Sequence, residues 1–160
     1  MADQLISLPK LFNAIESLYG SKRVDSWKTR QAAVHLALMQ GDFLAEIIAG
    51  TKLIESRLTK VRIAPVGQIK RGDLILFKQV GKKLMAVGTV SRAQSGKLDP
   101  ATWDFIRAHA EEIGVDDEYL SFKSDALYYA LVWMTNVHQI PYQDINKKDR
   151  RSWVIISDRE

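Results

Sequence analysis

The residues best suited to chemistry stand close together, in the run Gly-Thr-Lys-Leu-Ile-Glu-Ser-Arg at positions 50–57. On an extended strand, residues two apart share a face. Glu55 and Arg57 are therefore expected to project together, with Ile54 and Ser56 turned away. Gly50 lets the chain turn out of a preceding helix, which brings Lys52 near the mouth of the same surface. A carboxylate beside two cations accepts a hydrogen bond from the exocyclic amine of a base while the cations hold phosphate. The same three side chains would also serve as an ion-paired cluster that pins helix to strand.

Lys60, Arg62, Lys70 and Arg71 flank this run and would supply a phosphate track, or simply a solvated basic loop. A second basic cluster, Lys147-Lys148-Asp149-Arg150-Arg151, precedes the end of the chain, with the same two readings. Arg71-Gly72-Asp73 reads as turn chemistry rather than an adhesion signal. Bases of single strands stack on aromatic rings, and Trp27, Tyr128, Tyr129, Trp133, Tyr142 and Trp153 are available for that. Trp133 and Trp153 lie in β-rich runs and are expected in the core. Trp27, in a polar segment, and Tyr142, after Pro141, are the better candidates for exposure. His35, His109 and His138 are too far apart for a helical metal motif, so no metal and no cofactor are expected. A histidine such as His138, near Asn136, would donate to a base or simply bond backbone. No glycine-rich phosphate loop and no G-x-S-x-G elbow is present.

The elements that must position these groups are legible in the periodicity. Leu11, Phe12, Ile15 and Leu18 mark one apolar face of a helix from Lys10 to Tyr19, stopped by Gly20. A second short helix is expected around residues 25–31, giving an N-terminal helical segment, 1–31, ahead of a main domain, 32–160. Strands are expected at Ala33–Leu38, Leu53–Thr59, Leu74–Gln79, Leu84–Ala93, Tyr128–Ile140 and Trp153–Ser157. Helices are expected from Asp42 to Gly50, from about Asp99 to Ile113, and over Asp116–Asp125. Asp42 is the expected cap of the first, and Asp99 or Thr102 that of the second. Without βαβ alternation, this pattern predicts an α+β fold with a mostly antiparallel, closed sheet of about six strands.

The bulk properties agree with a small soluble domain. The chain has 160 residues, of which 46% are hydrophobic and 26% charged, enough for one core without staples. It contains no cysteine, which excludes disulfides, thiolate metal sites and cysteine nucleophiles. No apolar run is long enough to span a bilayer. The start, MADQLISLPKLF, does not read as a secretory signal, so a cytoplasmic location without membrane attachment is expected. Charge is uneven: residues 31–100 carry 11 basic and 5 acidic residues, net +6, whereas residues 101–160 carry 7 basic and 11 acidic, net −4. A basic stretch of this kind suits a polyanion.

Gly50, Lys52, Glu55 and Arg57 fit, without a gap, the G-x-K-x-x-E-x-R signature of the ASCH domains, relatives of the PUA fold. Arg71-Gly72-Asp73-Leu74-Ile75-Leu76-Phe77 resembles the family's GD-containing strand, and the strands at 86–90 and 153–155 follow in the family's order. The likeness covers residues 32–158. It implies a PUA-like β-barrel and a ligand-facing cleft lined by Lys52, Glu55 and Arg57, with Lys60, Arg62, Lys70 and Arg71 on the nucleic-acid backbone. It also implies binding of RNA, single-stranded or modified, although DNA fits the same chemistry. One branch of the superfamily hydrolyses N4-acetylcytidine with the motif lysine, a threonine where this chain has Glu55, and a later glutamate. Lys52 matches that branch, but Glu55 and the missing glutamate depart from it. Were the chain an enzyme, Lys52 and Glu55 would be its catalytic residues; a metal-independent ribonuclease would instead set Lys52 near the scissile phosphate with His138 or a tyrosine as base. A third expectation is a protein-interaction domain whose partner docks on the N-terminal helices or the acidic last third.

Overall fold

The computed structural model describes residues 5–160. Residues 1–4, the start of the expected N-terminal segment, lie outside the described residues. Helix α1 (Leu8–Tyr19) begins where the Ser7 side chain accepts from the Lys10 N–H and Pro9 occupies the first turn. Gly20, at φ 84°, ends α1 and starts α2 (Ser21–Lys28), four residues earlier than expected. Leu11, Phe12, Ile15, Val24 and Trp27 from this pair pack with Leu36, Leu76, Val87 and Val154 of the sheet in one hydrophobic cluster. Against the expectation of exposure, Trp27 is 1% accessible and its indole N–H donates to the Gly72 carbonyl at 3.0 Å. Its polar neighbours Ser26 and Lys28 lie on the outer side of the helix, while Val24, one turn earlier, shares its inward face.

The strands are β1 (Val34–Met39), β2 (Ile54–Thr59), β3 (Leu74–Gln79), β4 (Met85–Lys97), β5 (Tyr128–Ile140) and β6 (Trp153–Ser157). They form one sheet in the order β2-β5-β4-β3-β1-β6. Among the described residues, only β1 and β3 pair in parallel. The two long strands carry the curl. The first part of β4 pairs with β3, β5 follows β4 along its length, and the first part of β5 pairs with β2. Register shifts at Val87/Thr89 and at Val90/Arg92 bend the β4–β5 ladder, as bulges do.

The sheet is a curled, open half-barrel rather than the closed barrel expected. Strands β2 and β6 are its edges and share no ladder. Closure needs backbone pairing between them; here side chains of β2 and the loop that follows it occupy the seam. Ile63 and Ala64 of that loop lie across a hollow from Ser152, Trp153, Val154 and Ile155.

Helix α3 (Phe43–Ala49) packs Leu44 and Ile47 against Ala37, Ile75, Phe77 and Val132. Asp42 makes no side-chain cap bond. The helix expected through Ile113 breaks at His109 into α4 (Pro100–Ala108) and α5 (Ala110–Ile113). Asp99 caps α4 through the Thr102 N–H, and Asp116 caps α6 (Asp117–Phe122) through the Tyr119 N–H. Ile106, Ile113 and Leu120 of these helices pack on Ile54, Leu58 and Leu131. Helices α3 and α6 thus flank β2 at the seam. No helix among the described residues is long and apolar enough to cross a membrane.

Candidate functional site

Gly50 ends α3 in the left-handed region, at φ 83°, and the N–H groups of Thr51 and Lys52 both return to the Glu46 carbonyl. This tight return sends the Lys52 side chain inward. Its Nζ donates to the Ile54 carbonyl at 3.0 Å and to the Ile113 carbonyl, and it lies 3.4 Å from Glu55 Oε1. Lys52 is thus not at the mouth of the surface, where the sequence suggests it; it is 3% exposed, and its ammonium is surrounded by acceptors of the chain itself. The cause lies in α5, whose last turn leaves carbonyls without intrahelical partners, and Ile113 offers one to the ammonium. Gly114 permits the approach. At φ 77° it is left-handed, and a Cβ there would lie 3.1 Å from Glu46 Oε2 and 3.4 Å from Lys52 Cδ.

Glu55 is 4% exposed. Its Oε1 accepts from the Ser56 N–H at 2.8 Å, and its Oε2 lies 3.4 Å from Arg57 Nη2. Burial pushes this carboxyl up, but Lys52, Arg57 and the Ser56 N–H outweigh burial and hold it below the usual carboxylate range. It is therefore ionised at neutral pH. Arg57 crosses the seam. Its Nη2 donates to the Leu38 carbonyl at 3.0 Å, its Nη1 to Ser152 Oγ at 3.2 Å, and its guanidinium lies 5.1 Å from the centre of the Trp153 ring.

Above this polar floor lies a cavity of about 310 Å³. Phe43 of α3 and Tyr119 and Phe122 of α6 line it, with Lys123 and Ser152. Phe43 and Tyr119 meet edge to face with centroids 5.8 Å apart. Burial raises the Tyr119 phenol, Glu55 adds to the rise and Arg57 opposes it. Phe122 is 78% exposed at the rim. Sequence reasoning passes over Phe43, Tyr119 and Phe122 as ligand contacts. The available signal is the i, i+3 spacing of Tyr119 and Phe122 on one face of a short helix.

A buried chain of hydrogen bonds supports the floor from behind. The Trp153 indole N–H donates to His35 Nδ1 at 3.0 Å, so that nitrogen is an acceptor. His35 Nε2 then donates to Asp73 Oδ2 at 2.8 Å. Asp73 also accepts from the Ala33 and Lys70 N–H groups and from Arg159. Burial raises the Asp73 carboxyl, and the bonds from His35, Arg159, Lys70 and Ala33 overcome it and lower it. The aspartate of Arg71-Gly72-Asp73 is thus sealed inside, in keeping with turn chemistry.

The other basic positions disperse. Lys60 pairs with Asp125 at 2.8 Å on the surface. Arg62 is exposed beside Gly67. Lys70 and Arg71 precede β3 at the end of the sheet away from the pocket. Leu38 pairs with Lys78 and Val34 with Leu74, which puts Leu74 about 13 Å along the strand from the pocket end. Lys147 and Arg151 gather around Asp149 in the segment leading to Ser152. Of the aromatics, Trp153 is buried and Trp133 is half-buried under Arg92, whose guanidinium is 4.3 Å from the ring centre. Tyr129 is buried, Tyr128 and Tyr142 are half-buried, and His138 stands edge-on to Tyr19. Among the described residues, no three His, Asp or Glu side chains are grouped to hold a metal ion.

No family model matches this chain, and no curated protein matches it in sequence. The match comes from solved structures. An ASCH protein from Zymomonas mobilis superposes with a TM-score of 0.60 at 10% identity, over 77% of this chain and 87% of that one. Two point-mutant forms of ZmASCH from the same organism match with TM-scores of 0.58 and 0.56 at 11% and 12% identity. They cover 79% and 77% of this chain, respectively, and 89% of their own. By its architecture, then, the chain has the fold of an ASCH domain.

Proposed function

We propose that this protein binds single-stranded RNA and takes one base into the seam pocket, where Glu55 reads it. The observation that carries this reading is the ionised Glu55 carboxylate, buried between two cations beneath aromatic walls. A carboxylate has about four acceptor positions. Oε1 uses two, for Ser56 and Lys52, whereas among the described residues Oε2 faces only Arg57. The unused position suits the exocyclic amine of adenine, cytosine or guanine. The pocket volume falls within the roughly 300–1,000 Å³ of small-ligand sites. Lys52 then acts by fixing Glu55 rather than by holding phosphate.

The ASCH resemblance supports RNA as the polymer. The amidohydrolase alternative asks Lys52 or Glu55 to move a proton, and the ribonuclease alternative asks Lys52 to meet the scissile phosphate. The fully bonded ammonium of Lys52 argues for recognition instead, because its N–H bonds already end on Ile54, Ile113 and Glu55.

The test is a binding panel of homopolymer RNAs and matching DNAs against the wild type and Glu55→Gln, with an assay for N4-acetylcytidine hydrolysis alongside. The glutamine keeps the size but adds a donor and removes the charge, so base preference is expected to shift. Turnover by the wild type that vanishes in Glu55→Gln would replace this reading with the hydrolase. An unshifted preference would return Glu55 to a purely structural ion pair.

A further inference from the structure

Beside the pocket runs a second groove of about 420 Å³, between the start of the β2–β3 loop and the end of α6. The two hollows share the lining residues Leu58, Thr59, Phe122 and Lys123, so they adjoin, with Phe122 and Lys123 between them. Phe122 is 78% exposed and belongs to none of the hydrophobic clusters, so packing does not account for it. Val61 and Ile63 line the groove and are exposed as well. An apolar patch of this kind in water is unfavourable unless something covers it. Lys123 Nζ lies 5.7 Å from the centre of the Phe122 ring, and Lys60 is on the groove wall, paired with Asp125. An exposed ring beside a lysine is how sequence-tolerant single-strand sites are built: the ring takes a base face and the cation takes the phosphate.

We propose that this groove is the subsite for the neighbouring nucleotide of the same RNA strand, with its base stacked on Phe122 and its phosphate on Lys123. The inference rests on the pocket reading and extends it from one base to two. Specificity is then divided: Glu55 reads the pocket base through a hydrogen bond, whereas Phe122 accepts any base in the groove.

The experiment compares the affinities of ribonucleoside 5′-monophosphates with those of the corresponding dinucleotides, by calorimetry, for the wild type, Phe122→Ala and Val61→Glu. In the wild type the dinucleotide is expected to bind roughly 10-fold or more tightly than the mononucleotide, as one stacked base contributes. Both variants are expected to bring that ratio close to unity. Val61→Glu does so by placing a negative charge at a groove residue outside the pocket, and the exposure of both positions keeps the fold intact. A wild-type ratio near unity, or a ratio that both variants leave unchanged, would overturn the subsite while leaving the pocket reading in place. Failure of every mononucleotide and dinucleotide to bind would overturn both.

Discussion

Arg57 of β2 donates to the backbone carbonyl of Leu38 at 3.0 Å, so a side chain joins the two sides of a sheet whose edge strands do not pair. The same guanidinium meets Glu55, Ser152 and the face of Trp153. It holds the pocket and the seam together.

Arg57→Ala is therefore expected to reduce stability as well as binding. It leaves the Leu38 carbonyl without this donor and Glu55 without one of its two cations, which costs about 2–4 kcal/mol. Arg57→Lys is expected to recover only part of the loss, because an ammonium cannot reach Leu38, Ser152 and Glu55 with one planar fork. Urea unfolding of both variants checks this. A change below about 1 kcal/mol, the usual worth of an exposed pair, would contradict it.

Lys52 carries the larger structural consequence. Truncation to alanine leaves Glu55 less compensated and the Ile54 and Ile113 carbonyls without its ammonium, so a loss of about 3–5 kcal/mol is expected. Lys52→Met, which keeps the stem, is expected to lose less in packing but still uncouple Glu55. A thermal melt of Lys52→Ala that coincides with the wild type would show that the lysine stands at the rim after all.

The pH dependence follows from Glu55 and Asp73. Both carboxyls are held below their usual values in the folded protein, so the folded state binds fewer protons than the unfolded chain in acid. Their contribution to stability is complete above the unfolded values of about 4.3 and 3.9 and is lost as the pH falls through the lower folded values. Denaturation midpoints are expected to change little between neutrality and about pH 5, then to drop steeply below about pH 4. Glu55→Gln and Asp73→Asn are each expected to be less stable at neutral pH, with a shallower acid limb. An acid limb of unchanged slope in both variants would place the titrating groups elsewhere.

Much of this fold is legible in the sequence. The bounds of β3 and β6 follow directly from apolar runs between turn residues, and the shared face of Glu55 and Arg57 follows from strand alternation. What is not legible depends on distant partners. The burial of Lys52 is set by the carbonyl of Ile113, sixty-one positions away, and by the end of a four-residue helix. The bend of the β4–β5 ladder depends on register shifts that leave no periodic trace, and the open seam on side chains of β2 and its loop lying between edge strands that do not pair. Trp27 reads as exposed because its immediate neighbours are polar, but helical geometry puts it on the face of Val24. The aromatic walls come from α3, just ahead of β2, and from α6, which the fold brings over β2 from far along the chain.

The most direct measurement is amide chemical-shift mapping during titration with short single-stranded RNA at low salt. The largest shifts are expected at Phe43, Ser56, Tyr119, Phe122 and Ser152 around the seam pocket, with little change at Lys70 and Arg71 at the far end of the sheet. Shifts confined to that far end or to the N-terminal helices, or none with any RNA, would contradict the seam pocket as the RNA site.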